Sequence, residues 1–185
     1  MKDALKDKNF WILTIIAGLL LVTSNIIVKY SFELFNASIQ MSVLTYPVIF
    51  FFINWIVKKY GAKPSLLAVI FTIIIQLLVY FFTQTSIASI VIIGSLIAYI
   101  ISIVTDIYLY NYIIKDDDGF FKYFLIFFVY VITLILDMVI FSMIIKTEFS
   151  TNVLIVNIVR FGVALILVII DALISFKSNK NKTVT

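Results

Sequence analysis

Asp106, Asp137 and Arg160 interrupt long apolar runs in a chain of 185 residues that contains no histidine and no cysteine. An ionisable side chain near the centre of a bilayer costs about 2.5–3.5 kcal/mol even on the gentler insertion scales, so it ordinarily faces a bundle interior and serves a ligand, an ion or a partner charge. Two carboxylates and a guanidinium can accept and donate hydrogen bonds to a polar solute, or hold one another. Without imidazole or thiolate, histidine-based triads, disulfides and soft-metal sites are excluded. No His-Glu-x-x-His, Gly-x-Ser-x-Gly or paired-carboxylate protease pattern occurs. The expectation is therefore no enzyme, no catalytic residue, no metal site and no cofactor.

Polar neighbours recur around these three at helical spacing. On the fourth apolar run Ser95, Tyr99, Ser102, Asp106 and Tyr110 share a face, and on the fifth Tyr130, Thr133 and Asp137 do so, continued by Phe141. The sixth carries Asn157, Arg160, Ala164 and Asp171; the third carries Thr72, Gln76, Tyr80 and Thr83. The first offers Thr14, Gly18, Asn25 and Lys29, and the second offers Gln40, Pro47 and Asn54. Every run has a polar edge, and the edges are expected to meet in one central cavity. The candidate substrate-binding residues are Asn25, Pro47, Asn54, Gln76, Tyr99, Ser102, Asp106, Tyr110, Thr133, Asp137 and Arg160.

At 1.5 Å per helical residue, Asp106, Asp137 and Arg160 each fall roughly 12–13 Å from the nearer end of their runs, which predicts one shared level near the midplane. The pattern Ser102-x-x-x-Asp106-x-x-x-Tyr110 is repeated as Thr133-x-x-x-Asp137-x-x-x-Phe141. Paired carboxylates beside aromatic rings suit a flat, nitrogen-rich ligand, with rings for stacking and carboxylates for N–H groups. Pro47 removes a backbone bond within the second run, and broken helices are where carriers expose backbone to solutes. Plainer readings stand beside these. Ser and Thr in membrane helices commonly bond their own backbone, Tyr108 and Tyr112 suit an interfacial belt, and Asp137 with Arg160 reads equally as a structural ion pair. Asp116, Asp117 and Asp118 read as a solvated loop, without the spacing of an EF-hand.

The elements that must position these residues are legible from composition. Hydrophobic residues make up 63% of the chain and charged ones 13%, against about 45–50% and about 25% in soluble domains. Mean hydropathy is +1.17. Apolar runs cover approximately residues 10–29, 37–57, 64–84, 87–114, 120–145 and 152–176, each near the roughly 20 residues that cross a hydrocarbon core. The first is longer than a signal-peptide core and is read as a helix. The break at Thr83-Gln84-Thr85-Ser86 is uncharged, which allows a tight or re-entrant turn.

Eleven of the basic residues flank one side: Lys2, Lys6, Lys8, Lys58, Lys59, Lys63, Lys115, Lys122, Lys177, Lys180 and Lys182. Only Lys29 and Lys146 flank the other, so the positive-inside rule places both termini in the cytoplasm. The fold class is an all-α integral membrane protein, a single domain over residues 1–185 with a bundle of six transmembrane helices and a cytoplasmic tail at 177–185. The pI of 9.2 reflects topology and not a nucleic-acid surface.

Several segments in chain order resemble a known family. Ser24-Asn25-Ile26-Ile27-Val28-Lys29 closes the first run, Leu44-Thr45-Tyr46-Pro47 lies in the second, and Tyr60-Gly61 follows it. Gly94-Ser95-Leu96-Ile97-Ala98-Tyr99 leads to Ser102 and Asp106, and Thr133 leads to Asp137. Over roughly residues 20–142 the chain resembles the VUT family of queuosine precursor transporters, multi-pass proteins of the bacterial cytoplasmic (inner) membrane. The resemblance implies uptake of 7-cyano-7-deazaguanine or a related deazapurine. The chain departs from the family at Ile103 and Leu134, where glutamines precede the aspartates, at Ile53-Asn54, which replaces Thr-Asp, and at Lys58 or Lys59, where an acidic residue precedes Tyr-Gly.

The leading expectation is a secondary importer of a heteroaromatic solute, with proton coupling open to its buried carboxylates. The alternatives are the substrate-binding membrane subunit of an energy-coupling-factor importer, and a non-transport envelope assembly protein. The partners expected are the lipid bilayer and the solute, with a homo-oligomer compatible and no nucleic acid.

Overall fold

A computed structural model describes residues 1–83, 89–116, 121–145 and 152–182. In chain order the elements are α1 (Lys2–Lys6), α2 (Lys8–Ile27), a hairpin of β1 (Ser31–Leu34) and β2 (Ala37–Gln40), α3 (Ser42–Tyr60), α4 (Ala62–Thr83), α5 (Ser89–Asp116), α6 (Phe121–Ile145) and α7 (Asn152–Lys182). Among the described residues six helices, α2 to α7, are long and apolar enough to cross a membrane. The fold class is therefore that of a six-helix membrane bundle. The breaks expected at residues 84–86, at Asp117-Asp118 and at Lys146-Thr147-Glu148 lie outside the described residues.

Two boundaries differ from the sequence reading. Residues 37–40, expected at the start of the second helix, form β2 instead. They pair antiparallel with β1, from Ser31 opposite Gln40 to Leu34 opposite Ala37. The reason is a period of two: Ala37 and Ile39 are buried while Ser38 and Gln40 are exposed, a strand alternation that no helix could use. Phe35 and Asn36 close the hairpin with φ of 50° and 61°, the left-handed pair of a two-residue turn. Residues 177–182, expected as a tail, continue α7 to Lys182.

The helix α3 is the hub of the bundle. It packs against α2, α4, α5, α6 and α7, and 56% of its apolar window is buried, against 11% for α7. Ile49, Phe50, Ile53, Ile56 and Val57 of α3 are fully enclosed, whereas large apolar side chains on α2, α4 and α7 face outward, as lipid permits. Pro47 is buried inside α3 and removes the bond that its own N–H would donate one turn back. Gly61, at φ 83°, ends the helix and donates to the Val57 carbonyl at 2.8 Å. On the opposite side of α2, Gly18 lets α4 come close: a Cβ there would lie 2.7 Å from Ile75 Cδ1.

The two ends of the bundle differ. One end holds the hairpin, where α2 finishes and α3 starts. The other, the termini end, holds α1, the start of α2 and the end of α7, and cross-helix links gather there. Lys58 pairs with Asp171 of α7 at 2.7 Å and Lys59 with Asp7 at 2.9 Å. Lys58 also donates to Ser175 at 2.6 Å, and the Tyr60 hydroxyl to Asp7 at 2.7 Å.

Candidate functional site

The polar residues separate into two layers. The first surrounds a cavity of about 60 Å³ at the hairpin end, lined by side chains that include Asn25, Gln40, Tyr46, Ser95, Asp137 and Arg160. The Tyr46 hydroxyl donates to Asp137 Oδ1 at 2.6 Å, which ties α3 to α6. The Arg160 guanidinium lies over the Tyr46 ring, 5.9 Å from its centre, a distance at which the ring face attracts a cation. Arg160 Nε and Nη1 are buried and have no hydrogen-bond partner in the protein. Ser95 donates to Asn25 Oδ1 at 3.2 Å, and Asn25 donates to the Leu21 carbonyl of its own helix at 3.2 Å.

The second layer lies toward the termini end. Along α3 it is eight residues from Tyr46, or roughly 12 Å, and is marked by Asn54. Asp106 is wholly buried there. Its Oδ1 meets the Thr133 hydroxyl at 3.4 Å, while Oδ2 has no partner. Asn54 stands beside both Asp106 and Tyr130, yet neither of its amide atoms reaches hydrogen-bonding geometry. A second cavity of about 10 Å³ adjoins this layer, lined by Asn54, Tyr110, Tyr130 and Asp171 among others.

Asp106, Asp137 and Arg160, expected within a few ångströms of one level, fall in two neighbouring layers. Asp137 and Arg160 share the hairpin-end cavity, but Asp106 is level with Thr133, one helical turn or roughly 6 Å from Asp137. The cause is register between α5 and α6, which sets Asp106 beside Thr133 and not beside Asp137. Nor do Asp137 and Arg160 make a structural ion pair. Among the described residues the ion pairs are Lys58–Asp171 and Lys59–Asp7.

The remaining candidates divide between layers and packing. Tyr99 is buried with its hydroxyl 3.1 Å from Thr72 Oγ1 and its ring edge-on to Tyr46 at 6.4 Å, and it lines neither cavity. Ser102 donates to the Ala98 and Tyr99 carbonyls at 2.8 and 3.1 Å, a bond to its own backbone and nothing more. Thr133 does the same toward Val129 at 2.9 Å, in addition to its contact with Asp106. Gln76 is buried on α4 with Oε1 unpartnered, and Pro47 is buried packing; both lie apart from the cavities.

Ile103 and Leu134, standing where the resembled family has glutamines, are core residues with no exposure. Tyr46 is the site residue that spacing missed. It is the partner of Asp137, and only its place beside Pro47 in Leu44-Thr45-Tyr46-Pro47 drew attention to it. Gln40 does line the cavity, but from β2 and not from a helix.

Six apolar helices around a buried polar interior define a multi-pass membrane protein. Comparisons with family models, curated proteins and solved structures find no match.

Proposed function

We propose that the chain is a solute carrier, not an enzyme, and that it imports a small nitrogen-rich heteroaromatic solute, in the first instance 7-cyano-7-deazaguanine, across a bacterial cytoplasmic membrane. The observation that carries this reading is the hairpin-end cavity, where an unpaired guanidinium and a tyrosine-held carboxylate face the same space from α7 and α6. A guanidinium with unmet N–H groups takes a carbonyl or ring-nitrogen acceptor, a carboxylate takes N–H donors, and the Tyr46 ring offers a face. A deazaguanine base presents all three. The choice of this base rests on the resemblance carried by Leu44–Pro47 and Gly94–Tyr99.

The lysine distribution puts the termini end in the cytoplasm, so the cavity belongs to the outer half, where an importer takes up its solute. At the opposite end Lys58 ties α3 to α7 and Lys59 ties it to Asp7 at the start of α2. About 60 Å³ is well below the ~150 Å³ that accepts a benzene ring, so a bicyclic base requires the cavity to widen. The hub helix α3, weakened at Pro47 and bonded to Asp137 through Tyr46, is the element whose movement would do it.

Uptake of 7-cyano-7-deazaguanine into proteoliposomes tests the reading. Arg160→Gln and Asp137→Asn each remove a charge-assisted hydrogen bond of about 1.5–3 kcal/mol, so uptake at low solute falls about 10- to 150-fold. Variants that transport as the parent does would remove the site from consideration. A second reading, the substrate-binding subunit of an energy-coupling-factor importer, is favoured by the lightly covered α7. An apolar groove of about 330 Å³ runs between α6 and α7, lined by Phe124, Phe127, Leu165 and Leu173 among others. Copurification with a scaffold subunit and ATPases, and no uptake by the chain alone, would select it.

A further inference from the structure

We infer that Asp106, Asn54 and Thr133 form a binding site for a small monovalent cation, Na⁺, at the crossing of α5, α3 and α6. Buried polar groups are almost always hydrogen-bonded, so each exception asks for an explanation. Here the exceptions cluster. Asp106 is fully buried and Asn54 is 2% exposed, and Asp106 Oδ2 and both Asn54 amide atoms lack partners in the protein. No lysine or arginine pairs with Asp106: among the described residues the ion pairs involve Asp7 and Asp171 only.

The groups that converge are the ones a hard cation takes, namely carboxylate, amide and hydroxyl oxygens. Asp106 supplies the negative charge and two oxygens. Turning the Asn54 amide presents its oxygen as a third ligand. Thr133 is the fourth: its hydrogen has a shorter path to the Val129 carbonyl, 2.9 Å, than to Asp106 Oδ1, 3.4 Å. A lone pair is therefore left on the carboxylate side. The contact between the two oxygens is too long for a good hydrogen bond and suits two ligands of one ion. Asp106, Asn54 and Thr133 bring polar side chains of three helices together in this layer.

The cavity of about 10 Å³ beside Asn54 is close to the size of one water or ion. Of the three proposed ligands Asn54 lines it, together with Tyr110, Tyr130 and Asp171. An ion leaving past Asn54 would loosen that region of α3, the helix whose Tyr46 holds Asp137 at the solute cavity. Binding of the ion stands on this geometry alone; its use as a coupling ion rests on the carrier reading.

The test is thermal unfolding of the purified full-length chain in micelles at fixed pH and ionic strength, with NaCl replacing choline chloride. Saturable stabilisation is expected, on the order of 5 °C at a hundred times the Kd. It is lost in Asp106→Asn and shifted at least several-fold to higher Na⁺ in Asn54→Ala, which keeps the carboxylate should the first variant fold poorly. Asp7→Asn keeps the parent response. A parent midpoint indifferent to Na⁺, a midpoint that follows pH alone, or an Asp106→Asn variant that responds like the parent overturns the site. Na⁺-dependent stabilisation without solute uptake would keep the site and reject the carrier reading. Uptake without any Na⁺ response would do the reverse.

Discussion

Asp137 and Asp106 stand in the same residue pattern, a hydroxyl four positions before and an aromatic ring four positions after, yet their surroundings are opposite. Asp137 borders a cavity, is held by a 2.6 Å bond from Tyr46 on another helix, and shares its space with Arg160. Asp106 is sealed in the bundle beside Asn54, with the Thr133 hydroxyl at 3.4 Å and an unpartnered oxygen. The local pattern therefore does not decide the role of either carboxylate. The neighbours that decide it come from α3 and α7, which antiparallel packing brings to different levels of α5 and α6. A satisfied carboxylate beside an open space suits a solute site, and an unsatisfied one in a closed space suits an ion.

The largest effect that could break this contrast comes from removing the Tyr46 hydroxyl. Interhelical hydrogen bonds in membranes average about 0.6 kcal/mol and reach about 1.7. A short bond to a carboxylate belongs near the upper value, so Tyr46→Phe should cost about 1.5 kcal/mol of stability. For a chain of this size that lowers the unfolding midpoint by roughly 3–6 °C. The same variant frees Asp137 and should weaken solute binding several-fold while leaving the response to Na⁺ in place. If the Na⁺ response were lost as well, the two layers would be one site.

Much of the architecture was readable before any coordinates, and the reasons are physical. Runs near 20 apolar residues separated by lysines have few alternatives to a bundle, because lipid leaves no other way to satisfy the backbone. Helical spacing also found the buried faces: Tyr99, Ser102, Asp106 and Tyr110 are all enclosed. Register was not readable. Whether Asp106 opposes Asp137 or Thr133 depends on how two helices slide past each other, which residue types on one helix do not fix. The hairpin was missed for a different reason. Ala37-Ser38-Ile39-Gln40 alternates as a strand does, but it adjoins a long apolar run that masks the change of period. Tyr46 was missed as a ligand-side residue because it stands outside the helically spaced set Gln40, Pro47 and Asn54 that marked the polar edge of the second run.

A smaller pair of effects sharpens the contrast between a hydroxyl that serves another helix and one that serves only its own. Thr133→Val removes the hydroxyl that lies 3.4 Å from Asp106 Oδ1 and should cost about 0.5 kcal/mol, near the membrane average. It should also reduce Na⁺ affinity several-fold. Ser102→Ala removes a hydroxyl bonded to Ala98 and Tyr99 carbonyls, groups that α5 satisfies within itself, and should change both quantities by less than that. Chemical or thermal unfolding of the two variants side by side measures the difference. Equal effects would mean that the Thr133 contact with Asp106 is as local as the bond made by Ser102.

The smallest effect belongs to the termini end, where a solvated carboxylate is the control for both buried ones. Asp7 accepts from the Asn9 N–H at 2.9 Å, Lys59 at 2.9 Å and the Tyr60 hydroxyl at 2.7 Å. The Tyr60 bond first, and then that from Lys59, hold its pKa down from 3.8 to about 2. Because the folded value is the lower one, the unfolded chain takes up the proton first. The stabilising contribution is thus complete above about pH 4 and disappears as pH falls toward 2. The site is open to water, so salt screens it and the effect is small. Unfolding midpoints between pH 2 and 5 should fall less steeply in Asp7→Asn than in the parent, and the gap should narrow in high salt. Parallel profiles would show that the Asp7 links to α3 contribute nothing to closing this end. The case for cavity access from the hairpin side would then rest on Lys58, Asp171 and Ser175 alone.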